Sequence, residues 1–129
     1  MLTLVIGNKN LSSWSLRPWL LLKQIGEPFA EKHINLLATD SKQQILHYNP
    51  AGKVPALLDR QLLIHDSLAI AEYLAETYPA ARLWPHEAAD RAIARAVSAE
   101  MHSGFTALRS EMPFNCQLRR QHQPSAACA

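Results

Sequence analysis

Ser12, Ser13 and Ser15, with Arg17 one turn further on, stand in the stretch Leu11-Ser12-Ser13-Trp14-Ser15-Leu16-Arg17, between an apolar run from Leu2 to Ile6 and an apolar stretch that starts at Leu16. Hydroxyls at the entry to a helix do one of two things. They cap it by accepting from its unpaired first N–H groups, or they donate to an anion held at the positive end of the helix dipole. A thiol held there would be acidified by the second arrangement. A thiol of ordinary pKa near ~8.5 is mostly protonated at neutral pH, and both the dipole and a donated hydrogen bond lower that value. Taken alone, the turn also reads as a plain run of capping serines.

Two further pairs have the right form to hold a ligand. A residue presented outward just before a strand offers its N–H and C=O to a peptide backbone, and Val54-Pro55 fits that description. An ordinary trans proline at a strand start is its other reading. Asp66-Ser67 opens a helical run, where free N–H groups and a hydroxyl suit a carboxylate. As a helix cap the same pair needs no ligand.

Several chemistries are disfavoured. The six histidines (33, 47, 65, 86, 102 and 122) form no HxxxH or HExxH pattern, Cys116 and Cys128 form no CxxC, and no metal site or disulfide framework is expected. GxSxG is absent, which argues against a serine hydrolase. Thirteen Lys and Arg against eleven Asp and Glu leave +2, with no basic run longer than Arg119-Arg120, so nucleic acid is not an expected partner. No window approaches a membrane span. The opening MLTLVIGNKN reads as a strand rather than a signal, and a cytoplasmic address is the default expectation.

The elements that position these residues follow from periodicity. Leu2 to Ile6 is a strand, and a helix follows with Leu16, Trp19, Leu20, Leu22 and Ile25 as its apolar positions and Gly26 with Pro28 at its end. Ser13 or Ser15 is available as its N-cap, and with Pro18 placed in the first turn Ser15 is the easier of the two. Residues 31–36 alternate as a second strand, giving one βαβ unit. A short helix ends at Asn49-Pro50. Two apolar runs around Arg60-Gln61 then form a tight hairpin. A helix capped by Asp66 or Ser67 runs to Pro79, residues 79–85 form a linker, and Ile93 to Met112 carry a helical apolar stripe through residues 86–113. Residues 114–129 lack any period. Trp19 belongs to the core, while Trp14 is either pocket wall or interdomain filler.

In that order and at those separations, SSWSLR, NPAGKVPALL and DSLAIAEYLAE resemble the glutathione transferases over residues 2–112, with an entry turn similar to the serine-type, zeta-like classes. The resemblance implies an α/β, thioredoxin-like βαβ-ββα domain over residues 1–78 followed by the start of an all-helical domain. It implies glutathione as co-substrate, an electrophilic small molecule as second substrate, a homodimer and a role in detoxification. Ser12 takes the place of the activating serine, with Ser13 as alternative. Lys53 meets the glycyl carboxylate, Val54 before a cis Pro55 pairs with the cysteinyl backbone, and Asp66 with Ser67 receives the γ-glutamyl end. Arg17 and Glu100 are expected to meet across the domain boundary. Glutathione-assisted isomerisation is a related activity. Because the helical domain is represented only by its beginning, a non-catalytic glutathione-binding module or an inactive fragment is the alternative reading.

Overall fold

Leu2, Leu4 and Ile6 alternate with Thr3 and Val5, and a strand sends such alternating residues to opposite faces. In the computed structural model, which describes residues 1–128, both faces of this strand are covered. Strand β1 (Leu2–Ile6) sets Leu2, Leu4 and Ile6 against Leu22 of helix α1 (Ser13–Ile25), Leu57 of strand β3 (Ala56–Asp59), and Ile70 and Leu74 of helix α3 (Ser67–Thr77). Val5 joins Ile34, Ala56 and Ile45 of helix α2 (Ser41–Tyr48) on the other face. Burial on both faces is why β1 reads as an unbroken apolar run.

Strand β2 (Phe29–His33) pairs parallel with β1, β3 pairs antiparallel on its other side, and β4 (Leu62–His65) completes the order β2-β1-β3-β4. A parallel pair needs a crossover, which α1 supplies. Asp59 faces Leu62, so Arg60-Gln61 is the whole hairpin loop, and Arg60 takes the left-handed φ of 55° that such loops require.

Three expectations from periodicity are corrected. The second strand is Phe29–His33 rather than 31–36, because its register follows β1 (Leu2 opposite Phe29, Ile6 opposite His33) and Ile34 then turns into the core. Helix α1 is capped by Ser12, not Ser15, which puts Pro18 inside the helix instead of in its first turn. The inward face of α1 is accordingly Ser15, Pro18 and Leu22, and Leu20 is half exposed. The stretch 86–113 is two helices, α4 (Ala88–Ser103) and α5 (Thr106–Glu111), separated by Gly104-Phe105. At Gly104 a Cβ would lie 2.8 Å from the Glu100 carbonyl oxygen, and Phe105 takes a φ of 60°.

Helix α4 is tied to α3 by Arg95, whose guanidinium donates to both carboxylate oxygens of Glu72 at 3.2 and 3.1 Å. Beyond α5 the chain is irregular up to a short 3-10 turn at Ala126–Cys128, and it returns to the amino-terminal half where Cys116 N–H donates to the Asn10 carbonyl at 3.0 Å. Leu4 has no exposed surface in the central strand. Leu4→Ala is expected to lower the unfolding free energy by about 2–5 kcal/mol. Urea unfolding monitored by circular dichroism reads this directly, and a loss well under that range would mean the core closes over the gap.

Candidate functional site

The entry to α1 is built from hydroxyls and one loop amide. The N–H groups of Leu11 and Ser12 both donate to the Asn8 carbonyl, at 3.0 and 2.8 Å, which folds the chain into a turn just ahead of the helix. Ser12 Oγ then accepts from Ser15 N–H at 3.1 Å as the N-cap. Ser15 lies one turn on and has no exposed surface. Its Oγ accepts from Gly7 N–H at 3.0 Å and pairs with Ser12 Oγ at 3.0 Å, so the end of β1 and the start of α1 are joined through one buried hydroxyl.

A second loop follows α2. Asn49 is buried; its Nδ2 donates to the Lys53 carbonyl at 2.8 Å and its Oδ1 accepts from Ala51 N–H at 3.1 Å. Gly52 turns at a φ of 68°, a conformation that favours glycine. The loop delivers Val54 ahead of the ladder, which begins at Ala56 opposite Val5, and the Val54-Pro55 peptide bond is cis.

The third piece is the start of α3. Asp66 Oδ1 accepts from Leu68 N–H at 2.9 Å and Ala69 N–H at 3.2 Å, making Asp66 the cap and Ser67 the first helical residue. Asp66 has a φ of 77°, uncommon for a residue with a Cβ and a feature that concentrates at functional sites. Burial pushes its carboxyl pKa up, but the Ala69 and Leu68 N–H groups together with His102 outweigh that and hold it below the usual carboxylate range.

Ser12, Lys53, Val54, Pro55, Asp66 and Ser67, drawn from three separate segments, line one open cleft of about 750 Å³. Ser13 does not line it. It faces a neighbouring cavity of about 500 Å³ that shares Ser12 and Trp14 with the cleft. Trp14 is therefore wall to both spaces. Sequence reasoning missed three residues. Ser15 reads from the sequence as a cap, and the serine spacing carries no sign of the bond from Gly7. His65 lines the cleft, and so does His102 of α4, whose Nε2 lies 2.8 Å from Asp66 Oδ2 and whose ring meets Trp14 edge-on at 5.2 Å. No sequence pattern links His102 to a carboxylate 36 positions away.

The expected Arg17–Glu100 pair does not form. Arg17 lies over the Trp14 ring at 4.2 Å instead, and Glu100 is exposed. Among the described residues no three His, Cys, Asp or Glu side chains come together in a way that would hold a metal ion, and no helix is long and apolar enough to cross a membrane.

A β2-β1-β3-β4 sheet between α1 and α3 on one face and α2 on the other, with a cis proline entering β3 beside the first helix, defines a thioredoxin-like domain. The chain belongs to the glutathione S-transferase family: the family's N-terminal domain matches residues 11–77. It is 39% identical over 101 residues to maleylacetoacetate isomerase of Rattus norvegicus, covering 76% of this chain and 46% of that protein. Against glutathione S-transferase Z1 of Arabidopsis thaliana the identity is 43% over 61 residues, covering 46% and 28%. Among solved structures, a glutathione transferase homolog from Burkholderia, determined with bound glutathione, superposes with a TM-score of 0.71 at 30% identity, over 84% of this chain and 57% of that one. An epsilon-class glutathione S-transferase from the housefly, Musca domestica, gives 0.72 at 30% identity, over 85% and 51%. The chain spans about half the length of the curated relatives it matches.

Because the folded-state pKa of Asp66 is lowered, its contribution to stability is present above the ordinary carboxylate range and is lost as pH falls through the lowered value. Asp66→Ala is expected to reduce stability by about 0.5–2 kcal/mol at neutral pH through loss of the cap. Paired thermal melts should show the gap between wild type and variant closing in acid; a gap that stays constant with pH would assign the loss to something other than the carboxylate.

Proposed function

We propose that the 750 Å³ cleft binds glutathione and that Ser12 stabilises its thiolate for addition to an electrophilic small molecule. The observation that carries this reading is the convergence of Ser12, Lys53, Val54, Asp66 and Ser67 on one space beside the α1 N-terminus, in a chain of this family. Val54 offers its backbone to the cysteinyl residue, Ser67 and the first N–H groups of α3 receive the γ-glutamyl carboxylate, and Asp66 attracts the ammonium. Lys53 neutralises the glycyl carboxylate.

Ser12 is the better candidate than Ser13 because it alone of the two lines the cleft. Capping and catalysis do not compete for it. The cap uses a lone pair on Ser12 Oγ, and sulfur needs the hydroxyl proton. Between Ser12 and Ser15 either hydroxyl can donate. Ser12 Oγ donates to Ser15 Oγ at 3.0 Å; toward a thiolate the pair reverses, the Ser12 hydrogen turning to sulfur while the Ser15 hydroxyl, with Gly7 N–H already on it, donates back to Ser12, so that each bond polarises the next. The thiol proton passes to solvent and the sulfur lone pair attacks the electrophilic carbon. Addition alone is transfer; addition to a double bond, rotation and release is isomerisation. The names of the rat and Arabidopsis relatives support one each, and both chemistries use the same anion. A homodimer, a cytoplasmic address, a detoxifying role and a helical second domain opening near residue 86 belong to the same reading.

Retention on immobilised glutathione, with elution by the free peptide, tests binding. Turnover of a chromogenic electrophile tests catalysis, and retention without turnover would select a non-catalytic binding module. Ser12→Ala should lower turnover by about a hundredfold, the scale of losing one donor to a developing anion, while keeping retention. Ser13→Ala should cost far less. Unchanged turnover in Ser12→Ala would remove that residue from the mechanism.

A further inference from the structure

Glu111 closes helix α5, and an acid is out of place there, because the carbonyl end of a helix carries the negative pole of its dipole. The tail of the chain holds it. One carboxylate oxygen accepts from the Ser125 hydroxyl and the other from the Ser125 N–H at 3.0 Å, with His122 Nε2 3.7 Å away. The two Ser125 bonds, with smaller help from Cys128 and His122, overcome the effect of burial and pull the Glu111 carboxyl down to a pKa of about 2. The group is therefore fully charged at neutral pH.

The same tail reaches the entry turn. Leu11 N–H on the Asn8 carbonyl makes residues 8–11 a β-turn with Asn10 at its third position. Asn10 is gripped twice: its carbonyl accepts from Cys116 N–H at 3.0 Å, and its Nδ2 donates to Gln117 Oε1 at 3.1 Å. Asn115 prepares that grip, since its Oδ1 accepts from the N–H groups of Gln117 and Leu118 at 3.0 and 3.1 Å and bends the chain there. Among the described residues no other hydrogen bond joins the chain beyond Met112 to residues 1–78, so the hold of the tail on that domain is concentrated on one turn residue. Residues 112–125 thus leave Glu111, touch Asn10 and come back to Glu111. Ordering a stretch without regular structure costs conformational entropy, which these bonds must offset.

We propose that residues 112–125 are a strap, buckled on Glu111, that holds the entry turn and with it the Ser12 hydroxyl in place. Only Leu11 separates Asn10 from Ser12, and the Leu11 and Ser12 N–H groups share the Asn8 carbonyl, so freedom gained at Asn10 passes directly to the cap. Glu111, Gln117 and Ser125 are positioning residues, since none of them lines the cleft. The consequence for a bound thiol rests on the glutathione reading of that cleft. The mechanical link stands on the hydrogen bonds alone.

Amide hydrogen exchange of the full chain, followed by NMR, reads the link without any ligand, because the Leu11 and Ser12 N–H groups are protected by the bonds that the strap is proposed to hold. In Glu111→Ala exchange at both amides is expected to quicken about tenfold or more, the scale of losing hydrogen bonds to a charged group. Glu111→Gln keeps an acceptor for Ser125 N–H and should fall between that variant and the wild type. Gln117→Ala and Ser125→Ala change exposed tail positions and should quicken the same two amides while the buried β1 amides keep their wild-type rates. With glutathione bound, the sulfur of Glu111→Ala should ionise at higher pH, read by thiolate absorbance, and kcat with a chromogenic electrophile should fall about threefold or more at unchanged KM for glutathione, on the same scale. Wild-type exchange at Leu11 and Ser12 in all four variants overturns the proposal, and so does a quickening that extends equally to β1. Faster exchange with sulfur ionisation and kcat both as in the wild type overturns the link to Ser12. Failure of the wild type to retain glutathione would sink the reading of the cleft, and the exchange rates alone then settle the strap.

Discussion

The buried Ser15 hydroxyl is the joint on which the site depends. Gly7 N–H at the end of β1 needs an acceptor once the ladder stops, because a buried donor left alone costs about 1–3 kcal/mol, and Ser15 Oγ is that acceptor. Satisfying it fixes where α1 begins and makes Ser12 the cap, placing the Ser12 hydroxyl at the mouth of the cleft. A structural need of the sheet thus sets the geometry of the entry turn. Asn8 does related work from its own side of the loop, holding Leu11 and Ser12 through its carbonyl and Leu36 N–H through its side chain at 2.8 Å.

The same turn serves two spaces. Ser12 and Trp14 line the cleft and the arginine-bearing cavity alike, so the two spaces meet across a single wall. Trp14 carries more of this arrangement than its position in a serine-rich turn suggests: His102 meets its ring edge-on, and Arg17 and Arg109 stack over it. Through His102 and Arg109, both from beyond residue 100, the helical part of the chain reaches the site and contributes to it.

What was legible in the sequence was whatever local periodicity decides. Strand β1, the Arg60-Gln61 hairpin, α2 and α3 stand where alternation, turn residues and caps put them, and the residues of the cleft came from motifs whose spacing the fold preserves. The misplacements of the cap, of the second strand and of Arg17 share one cause, which is that tertiary partners chose between local equivalents. Three serines have similar capping propensity, and the Gly7 amide made the choice. Residues 31–36 alternate well enough for a strand, yet pairing with Leu2 to Ile6 moved it to Phe29–His33. The apolar stripe from Ile93 to Met112 hid a break that Gly104 alone hinted at. Arg17, expected to meet an acid across the boundary, stacks on an indole three residues away.

The strand order has a consequence for how copies of the chain behave in company. With β2 and β4 outermost, each flank of the sheet presents unused amide and carbonyl groups on which a foreign strand could build. β2 answers with Glu31, Lys32 and His33, all exposed, so an incoming apolar strand would have to dehydrate charge in order to attach. β4 is four residues long and passes at once into the turn that caps α3, too short to template an extended ladder. The outer rows of the sheet thus discourage fibrous stacking while its inner strands remain as apolar as their burial demands.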